Sequence, residues 1–147
     1  MQVIGFGLNK VSAEKFPEFT RKTEIETNIE FKDLSKQEVS IIGDNDALKI
    51  DFIFTISYNL KEAKKKKKGA ELIFDGHVLL SAEKDASKEI QKHWKKKDLP
   101  NGFKVPLFNI ILQRCTVKAL QLEEELNLPT HFPLPRLKGR PKQEDSK

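Results

Sequence analysis

The side chains best suited to holding a metal ion or acting as a nucleophile are His77, His93, His131 and Cys115. The three histidines lie far apart in the chain, and none has a second ligand at a spacing typical of a metal site. The single cysteine can form no intrachain disulfide. A lone cysteine in an apolar helical pattern is usually a small core residue. We therefore expect no metal, no cofactor and no covalent nucleophile.

Carboxylates are numerous, but they alternate along segments with outward-facing polar positions. Acid–base catalysis by two carboxyl groups needs shared burial that drives their pKa values apart, and no pair is placed for that. Gly5 and Gly7 lie inside a strand pattern with no helix after it, so they form no phosphate-binding loop. The sequence predicts a protein that is not an enzyme.

Basic residues are in excess, with 27 Lys and Arg against 22 Asp and Glu and a formal net charge of +5. The excess lies in residues 64–68, 95–97 and 136–142. Such blocks attract polyanions, although they also occur as solvated loops and helix ends. Residues 138–142, KGRPK, look like a hook for the minor groove of DNA. The lysine run and the basic tail therefore leave open an alternative function, that of a nucleic-acid-binding accessory protein.

The length of 147 residues suits one domain, and 37% apolar against 33% charged residues indicates a thin core under a strongly charged surface. The first residues, MQVIGFGLNK, lack the pattern of a signal peptide. No apolar stretch is long enough for a membrane helix. We expect a cytoplasmic protein that is not inserted in a membrane.

Four segments alternate with period two, which predicts four β-strands. In the first, Ile4, Phe6 and Leu8 share one face, opposite Gly5 and Gly7. Glycines inside a strand indicate a bulge or the close approach of another backbone.

The other three predicted strands cover residues 22–31, 48–58 and 70–80. The first of these alternates an apolar face with an acidic one, as in a sheet with one solvated face. Only residues 61–69 separate the last two strands, too few for a crossover helix. These strands are therefore predicted to form an antiparallel hairpin with the lysine run at its tip.

The pattern changes to a helical one after residue 81. Asp85 is predicted to cap a first helix, which ends before residues 99–102 (LPNG). A second helix is predicted from near Val105, with Pro106 in its first turn, to about Asn127.

The second helix carries two apolar stripes, although a helix on one sheet normally needs one. The first stripe consists of Phe108, Ile111, Leu112, Cys115, Ala119, Leu122 and Leu126. The second consists of Leu107, Ile110, Val117 and Leu120. Two covered sides are predicted, and either the rest of the chain or a second subunit could supply the second cover.

The fold class predicted from this order is α+β, with a four-stranded antiparallel sheet followed by two helical segments. Residues 128–137, LPTHFPLPRL, are predicted to be extended because of their prolines. The predicted domain covers residues 1–137, followed by a disordered basic tail at residues 138–147.

Four segments carry a resemblance to the SecB family of export chaperones and shorter SecB-like proteins. IGFGLNKVSAEKF resembles the family's first strand, with the polar turn and aromatic residue after it, and KTEIETNIEF resembles the second strand. LFNIILQRCTVKAL is similar to the long assembly helix, and LNLPTHFPLPRL to the stretch that follows it. The resemblance implies an ATP-independent holdase that binds unfolded or precursor polypeptides, assembled as a dimer or tetramer of identical chains.

The resemblance also implies the positions of two surfaces. The implied client-binding residues, in and beside the loop after the first strand and the loop between the helices, are Phe16, Phe19, Trp94, Leu99, Phe103 and Leu107. The implied oligomer interface is Ile110, Val117 and Leu120.

Two departures bear on a role in export. Better-known members of the family carry a further C-terminal helix and dock a motor ATPase on an acidic sheet face. This chain keeps Glu24, Glu26 and Glu30 on one strand but is basic overall. The resemblance therefore implies a chaperone more directly than a part in export.

Overall fold

Four long β-strands form one antiparallel sheet, and two helices follow in the chain. The computed structural model describes residues 2–38, 43–62, 65–135 and 137. The strands are β1 (Gln2–Lys15), β2 (Thr23–Gln37), β3 (Asp46–Leu60) and β4 (Lys68–Ala82), and the helices are α1 (Lys84–Trp94) and α2 (Asn101–Glu125). The predicted α+β class is confirmed. Lys64 and the predicted tail at residues 138–147 lie outside the described residues.

The strand order is β1-β4-β3-β2, so β3 and β4 lie in the centre and β1 and β2 at the edges. The predicted hairpin of β3 and β4 is confirmed, with Phe54 opposite Phe74 and their ring centroids 5.9 Å apart. Every second side chain of β3 from Leu48 to Tyr58 is buried against the helices. This alternation places the core on one face of the sheet only.

Two irregularities in register, between Val3 and Gly5 and between Leu8 and Lys10, change the face of β1 predicted from the sequence. Phe6 and Leu8 lie on the helix face, but Ile4 falls in the first bulge and is 45% exposed. The prediction that Ile4 shares their face is therefore wrong, because one extra residue reverses the alternation.

Gly7 of β1 and Gly76 of β4 lie where these two paired strands approach each other closely. A Cβ atom on Gly76 would lie 2.5 Å from the carbonyl oxygen of Gly7, and one on Gly7 would lie 2.8 Å from the ring of His77. Of the two alternatives expected for the glycines of β1, a bulge lies beside Gly5, whereas Gly5 and Gly7 themselves face the side chains of Leu79 and His77. Beyond Gly7, β1 continues to Lys15, so the polar turn after the first strand begins later than the resemblance implied.

The first helix begins at Lys84 with Glu83 at the N-cap, and no side chain caps it. The predicted cap, Asp85, instead lies in the first turn, where its negative charge favours the helix dipole. Ile90 and Trp94 point into the core, with 0% and 8% exposure. The helix therefore buries its apolar side and leaves its charged side in solvent.

The second helix begins at Asn101, four residues before the predicted start at Val105. The carbonyl of Pro100 accepts hydrogen bonds from the N–H groups of Phe103 and Lys104, at 2.9 and 3.0 Å. Pro106 consequently lies inside the helix and not in its first turn. It costs one backbone hydrogen bond there, because proline has no N–H.

The buried line of α2 repeats every four residues and differs from the predicted stripes. Its members are Leu107, Ile111, Cys115, Ala119 and Glu123. Leu107, predicted in the second stripe, is fully buried, whereas Leu112, predicted in the first, is 39% exposed. Cys115 is the core residue that we predicted, and burial raises the pKa of its thiol to about 12. Neither described helix is both long and apolar enough to span a membrane.

The end of α2 is a Schellman motif with asparagine in the position usually taken by glycine. Asn127 has φ 55°, its N–H donates to the carbonyl of Glu124, and the N–H of Leu128 donates to that of Glu123 at 2.8 Å. Left-handed backbone excludes β-branched residues at such a position.

Replacing Asn127 by valine is expected to lower the free energy of unfolding by about 1–2 kcal/mol, because valine strains left-handed backbone. Asn127→Gly is the matched control, since it keeps the backbone geometry and removes only the exposed side-chain bond from Arg21. Urea denaturation of both variants measures the difference. Equal stability of the two variants would contradict this explanation of the helix end.

Candidate functional site

An apolar groove runs between β2 and the first half of α2. Phe31 of β2 stacks on Phe108 of α2, with centroids 5.4 Å apart and planes 4° from parallel. Beside this stack lies a hollow of about 310 Å³, open to solvent and lined by Thr27, Asn28, Ile29, Phe54, Phe108 and Leu112. We call this hollow and its continuation the β2 groove.

The groove exists because α2 covers β3 and β4 fully but β2 only in part. Ile29 and Phe31 face the helices, opposite the fully buried Phe54 and Phe52 of β3, but each remains half-exposed. Thr27 shares their face and is exposed. An edge strand also has unpaired backbone N–H and C=O groups along one side. The β2 groove therefore combines an apolar floor with a strand edge that can pair with an extended peptide.

Charged residues surround the other end of the groove. Through Ile29 and Phe108 it continues into a hollow of about 690 Å³ that reaches the connection between the helices. Lys97 and Lys104 lie at its rim, and Lys104 pairs with Asp98 at 2.7 Å. The groove is thus apolar along its floor and charged at this end.

Phe16 and Phe19, predicted to bind clients, lie in the connection between β1 and β2, and both are half-buried. The N–H of Phe16 donates to the carbonyl of Gly69 at 2.9 Å, and the ammonium of Lys15 lies 4.9 Å from the Phe19 ring centroid. Lys15 also donates to the carbonyl of Leu126 at 3.1 Å, which fastens this connection to the end of α2.

The predicted residues near the other connection are mostly buried. Leu99 and Leu107 are 2% and 0% exposed, and Trp94 is 8% exposed beneath the ammonium of Lys97, whose Nζ lies 5.1 Å from its ring centroid. Phe103 is half-buried. A client cannot reach Leu107, which belongs to the core, whereas Leu99 lines the floor of the larger hollow of the β2 groove.

The two predicted loops do not form one site. Phe103 lies in the first turn of α2, whereas Lys15 holds the Phe16 and Phe19 connection to Leu126, just past its last turn. At 1.5 Å per residue these ends of the helix are about 35 Å apart. The β2 groove lies between them and was not predicted, since the sequence does not show how far α2 extends over the sheet.

Of the predicted interface residues, Leu120 is half-buried and lies eight residues after Leu112, on the groove side of α2. Ile110, half-buried, and Val117, 62% exposed, lie on the other flank. On this flank the guanidinium of Arg114 lies 5.5 Å from the ring centroid of Phe6 in β1. Strand β1 adds Leu8 and Val11, which are 36% and 38% exposed. Together the residues on this flank form a second apolar surface, the β1 flank, on the opposite side of the helix from the groove.

A buried carboxylate fixes the segment after α2, residues 128–135, which we call the strap. Glu123 is 0% exposed and accepts hydrogen bonds from the Tyr58 hydroxyl and from the backbone N–H of His131, the latter at 2.9 Å. His131 Nδ1 lies 3.0 Å from the same carboxylate. Burial, with the adjacent Glu123 carboxylate, raises the pKa of Tyr58. Sequence reasoning missed this network, because Glu123 was not distinguished from the surface carboxylates around it.

The lysine run at the hairpin tip is largely neutralised among the residues that the structure describes. Lys66 pairs with Glu26 at 2.8 Å, Lys67 pairs with Glu18 at 3.9 Å, and Lys68 pairs with Glu71. The Lys66 ammonium lowers the pKa of Glu26. These three lysines are exposed at the hairpin tip, as predicted, but each has a carboxylate within 4.0 Å.

His77 is half-exposed on the solvated face of β4 and is hydrogen-bonded to Asn9 at 2.8 Å. His93 bonds to the carbonyl of Glu89 at 2.9 Å. Within the described ranges, no group of His, Cys, Asp and Glu side chains is placed to hold a metal ion.

No model of a protein family and no curated protein matches this sequence. Among solved structures, the chain is similar to the SecB-like chaperone Rv1957 of Mycobacterium tuberculosis, in complex with a ChAD peptide from the Rv1956 HigA1 antitoxin. The TM-score is 0.52 at 15% sequence identity, over 95% of this chain and 91% of that one. The fold is thus SecB-like, as the sequence predicted.

Proposed function

We propose that this protein is a chaperone that holds unfolded or precursor polypeptides in the β2 groove without ATP. The observation that carries the proposal is a solvent-open apolar floor, with Ile29, Phe108 and Leu112, beside an edge strand. Apolar contact is non-directional and suits many client sequences. Backbone pairing at the edge is independent of client side chains. A SecB-like fold whose neighbour was solved with a bound peptide supports the same function.

Phe16, Phe19 and Phe103 extend the proposed client path beyond the groove. All three are half-buried and lie near opposite ends of α2. A client following the groove would span about 35 Å between these ends, which an extended segment of about ten residues covers. The buried Leu99, Leu107 and Trp94 support this surface from below.

The β1 flank is proposed as the oligomer interface, with Ile110 and Val117 at its centre and Leu120 on the neighbouring face of α2. Exposed apolar residues on both β1 and α2 make it continuous. It lies across α2 from the groove, so a dimer formed there leaves the groove open. We place the chaperone in the cytoplasm, where precursor polypeptides occur before export.

The test is suppression of aggregation of heat-denatured citrate synthase, followed by light scattering without nucleotide. Stoichiometric amounts of the protein are expected to suppress scattering. A photoreactive residue in place of Thr27, which is exposed in the groove, should cross-link to the client. The same residue in place of Lys10, exposed on β1 opposite Asp75, is the matched control and should not. Unchanged scattering, or equal cross-linking at both positions, would refute the proposal.

A further inference from the structure

The solvent side of α1 carries a row of lysines. Lys84, Lys88 and Lys92 are four residues apart and therefore lie on one face of the helix. Lys95 and Lys96 follow directly after its last residue, Trp94. All five are exposed. We call them the lysine row. From Lys84 to Lys92 the row is about 12 Å long.

The lysine row has few carboxylates close to it: Asp46 interacts electrostatically with Lys84, and Glu89 shares a hollow with Lys92 and Lys96. In the part of the chain that the structure describes, none of the five forms an ion pair within 4.0 Å, whereas Lys66, Lys67 and Lys68 each have a carboxylate partner. Residues 83–97 contain six lysines but only three acidic residues. The row is thus a local concentration of positive charge.

Helix stability does not explain the row. Like charges four residues apart destabilise a helix. Lysines in the last turn favour the helix dipole, but Lys84 is the first residue of α1, where a positive charge opposes it. A bound polyanion would compensate for this repulsion along the whole row.

The chemistry of the surface around the row selects the kind of polyanion. The apolar side of α1 is buried in the core through Ile90 and Trp94, so the helix has no apolar face to insert into a membrane. It presents no exposed Phe, Tyr or Trp on which unpaired bases could stack. What remains is a row of ammonium groups at regular four-residue spacing, which suits a regular row of phosphates.

We propose that the lysine row binds the phosphate backbone of a double-helical nucleic acid without reading its sequence. Each strand of a duplex places one phosphate per about 3.4 Å of axis, so the row faces three or four of them. This binding is separate from the proposed client groove. It also differs from the nucleic-acid alternative drawn from the sequence, which used the hairpin lysines and the tail.

The experiment compares two variants with the same change in charge. In the row variant, Lys84, Lys88, Lys92 and Lys96 become glutamine, and in the hairpin variant, Lys65, Lys66, Lys67 and Lys68 do. Each lowers the formal net charge of +5 by four. Fluorescence anisotropy measures binding of the full chain to labelled duplex DNA and duplex RNA of about 30 base pairs, between about 50 and 200 mM salt.

The row variant is expected to bind at least about tenfold more weakly at the lower salt concentration, and the slope of log affinity against log salt should shrink by about three. The hairpin variant should stay within about twofold of the wild type. Equal losses in both variants would mean that only net charge matters and would overturn the proposal. So would an absence of binding at the lower salt, a preference for single strands, or row-dependent binding to phosphatidylserine vesicles in place of duplexes.

Two further arms separate this proposal from its alternatives. A chain ending at Leu137 should keep its duplex affinity, and loss of binding would assign it to the tail. The row variant should still suppress citrate synthase aggregation. Failure of the nucleic-acid proposal would therefore leave the chaperone proposal standing, and the reverse also holds.

Discussion

Replacing Glu123 by alanine is expected to lower the free energy of unfolding by about 3–5 kcal/mol, because each buried donor left without an acceptor costs about 1–3 kcal/mol. The carboxylate accepts hydrogen bonds from the Tyr58 hydroxyl, from the backbone N–H of His131 and from Nδ1 of the His131 ring. Without it, two or three buried donors lose their acceptor and a cavity remains. For a domain of this length the corresponding fall in melting temperature is about 6–20 °C.

Matched variants separate the network from helix effects. Glu124→Ala changes an exposed neighbour in the same turn and should cost less than about 0.5 kcal/mol. Glu123→Gln retains an acceptor and should lie between the two. Adding Tyr58→Phe to Glu123→Leu removes one orphaned donor and should recover part of the loss. Thermal and urea unfolding measure all five variants, and a Glu123→Ala variant as stable as Glu124→Ala would show that the network stabilises nothing.

Release of the strap provides a second measurement on the Glu123→Ala variant. His131 is held only 6% exposed by its bonds to Glu123, and the exposed Phe132 follows it directly. Loss of the carboxylate should free this segment before the domain unfolds. Hydrogen–deuterium exchange of the His131 amide, which donates to Glu123, is therefore expected to be faster in Glu123→Ala than in Glu124→Ala.

Leu112→Glu is expected to weaken binding of unfolded polypeptide at least about tenfold, a change of about 1.4 kcal/mol. Leu112 lines the β2 groove and is 39% exposed, so the substitution does not disturb the core. A client would have to remove water from the new carboxylate without pairing it, which is unfavourable. Anisotropy of labelled, reduced and carboxymethylated α-lactalbumin measures the affinity.

Val117→Glu is the matched control, because it makes the same change on the opposite side of α2. Val117 is 62% exposed on the β1 flank. This variant should keep its client affinity within about twofold but dissociate toward monomers in light scattering at equal protein concentration. The reverse pattern, with Val117→Glu losing clients and Leu112→Glu losing assembly, would exchange the two surfaces and refute their assignment.

The sheet was largely predictable from the sequence, because alternation of apolar and polar residues is a local signal. Leu48 to Tyr58 show it without a break, and β3 is buried as that pattern predicts. Ile4 was misplaced because a bulge depends on the partner strand β4. Helix α2 was started too late because Pro106 is typical of a first turn, and nothing local shows that the carbonyl of Pro100 starts the helix earlier.

The candidate site was predicted less well, because exposure depends on how helices lie across a sheet. The sequence indicates that Leu99 and Leu112 are apolar, but packing buries the first and exposes the second. One feature of the sequence could have identified Glu123 as buried. This residue continues the four-residue spacing of Leu107, Ile111, Cys115 and Ala119, so a carboxylate at that position predicts a buried hydrogen-bond donor beside it.

The strand order has a consequence for how the chain is made. Strand β1 leaves the ribosome first, yet its partner is β4, which ends at Ala82. At about 5–20 residues per second, translation of the intervening chain takes roughly 3–13 s. During that interval the N-terminal strand has no neighbour, with Phe6, Leu8 and Val11 uncovered. Nascent copies of this chain therefore pass through a state that is itself open to capture, and mature copies already present would meet it.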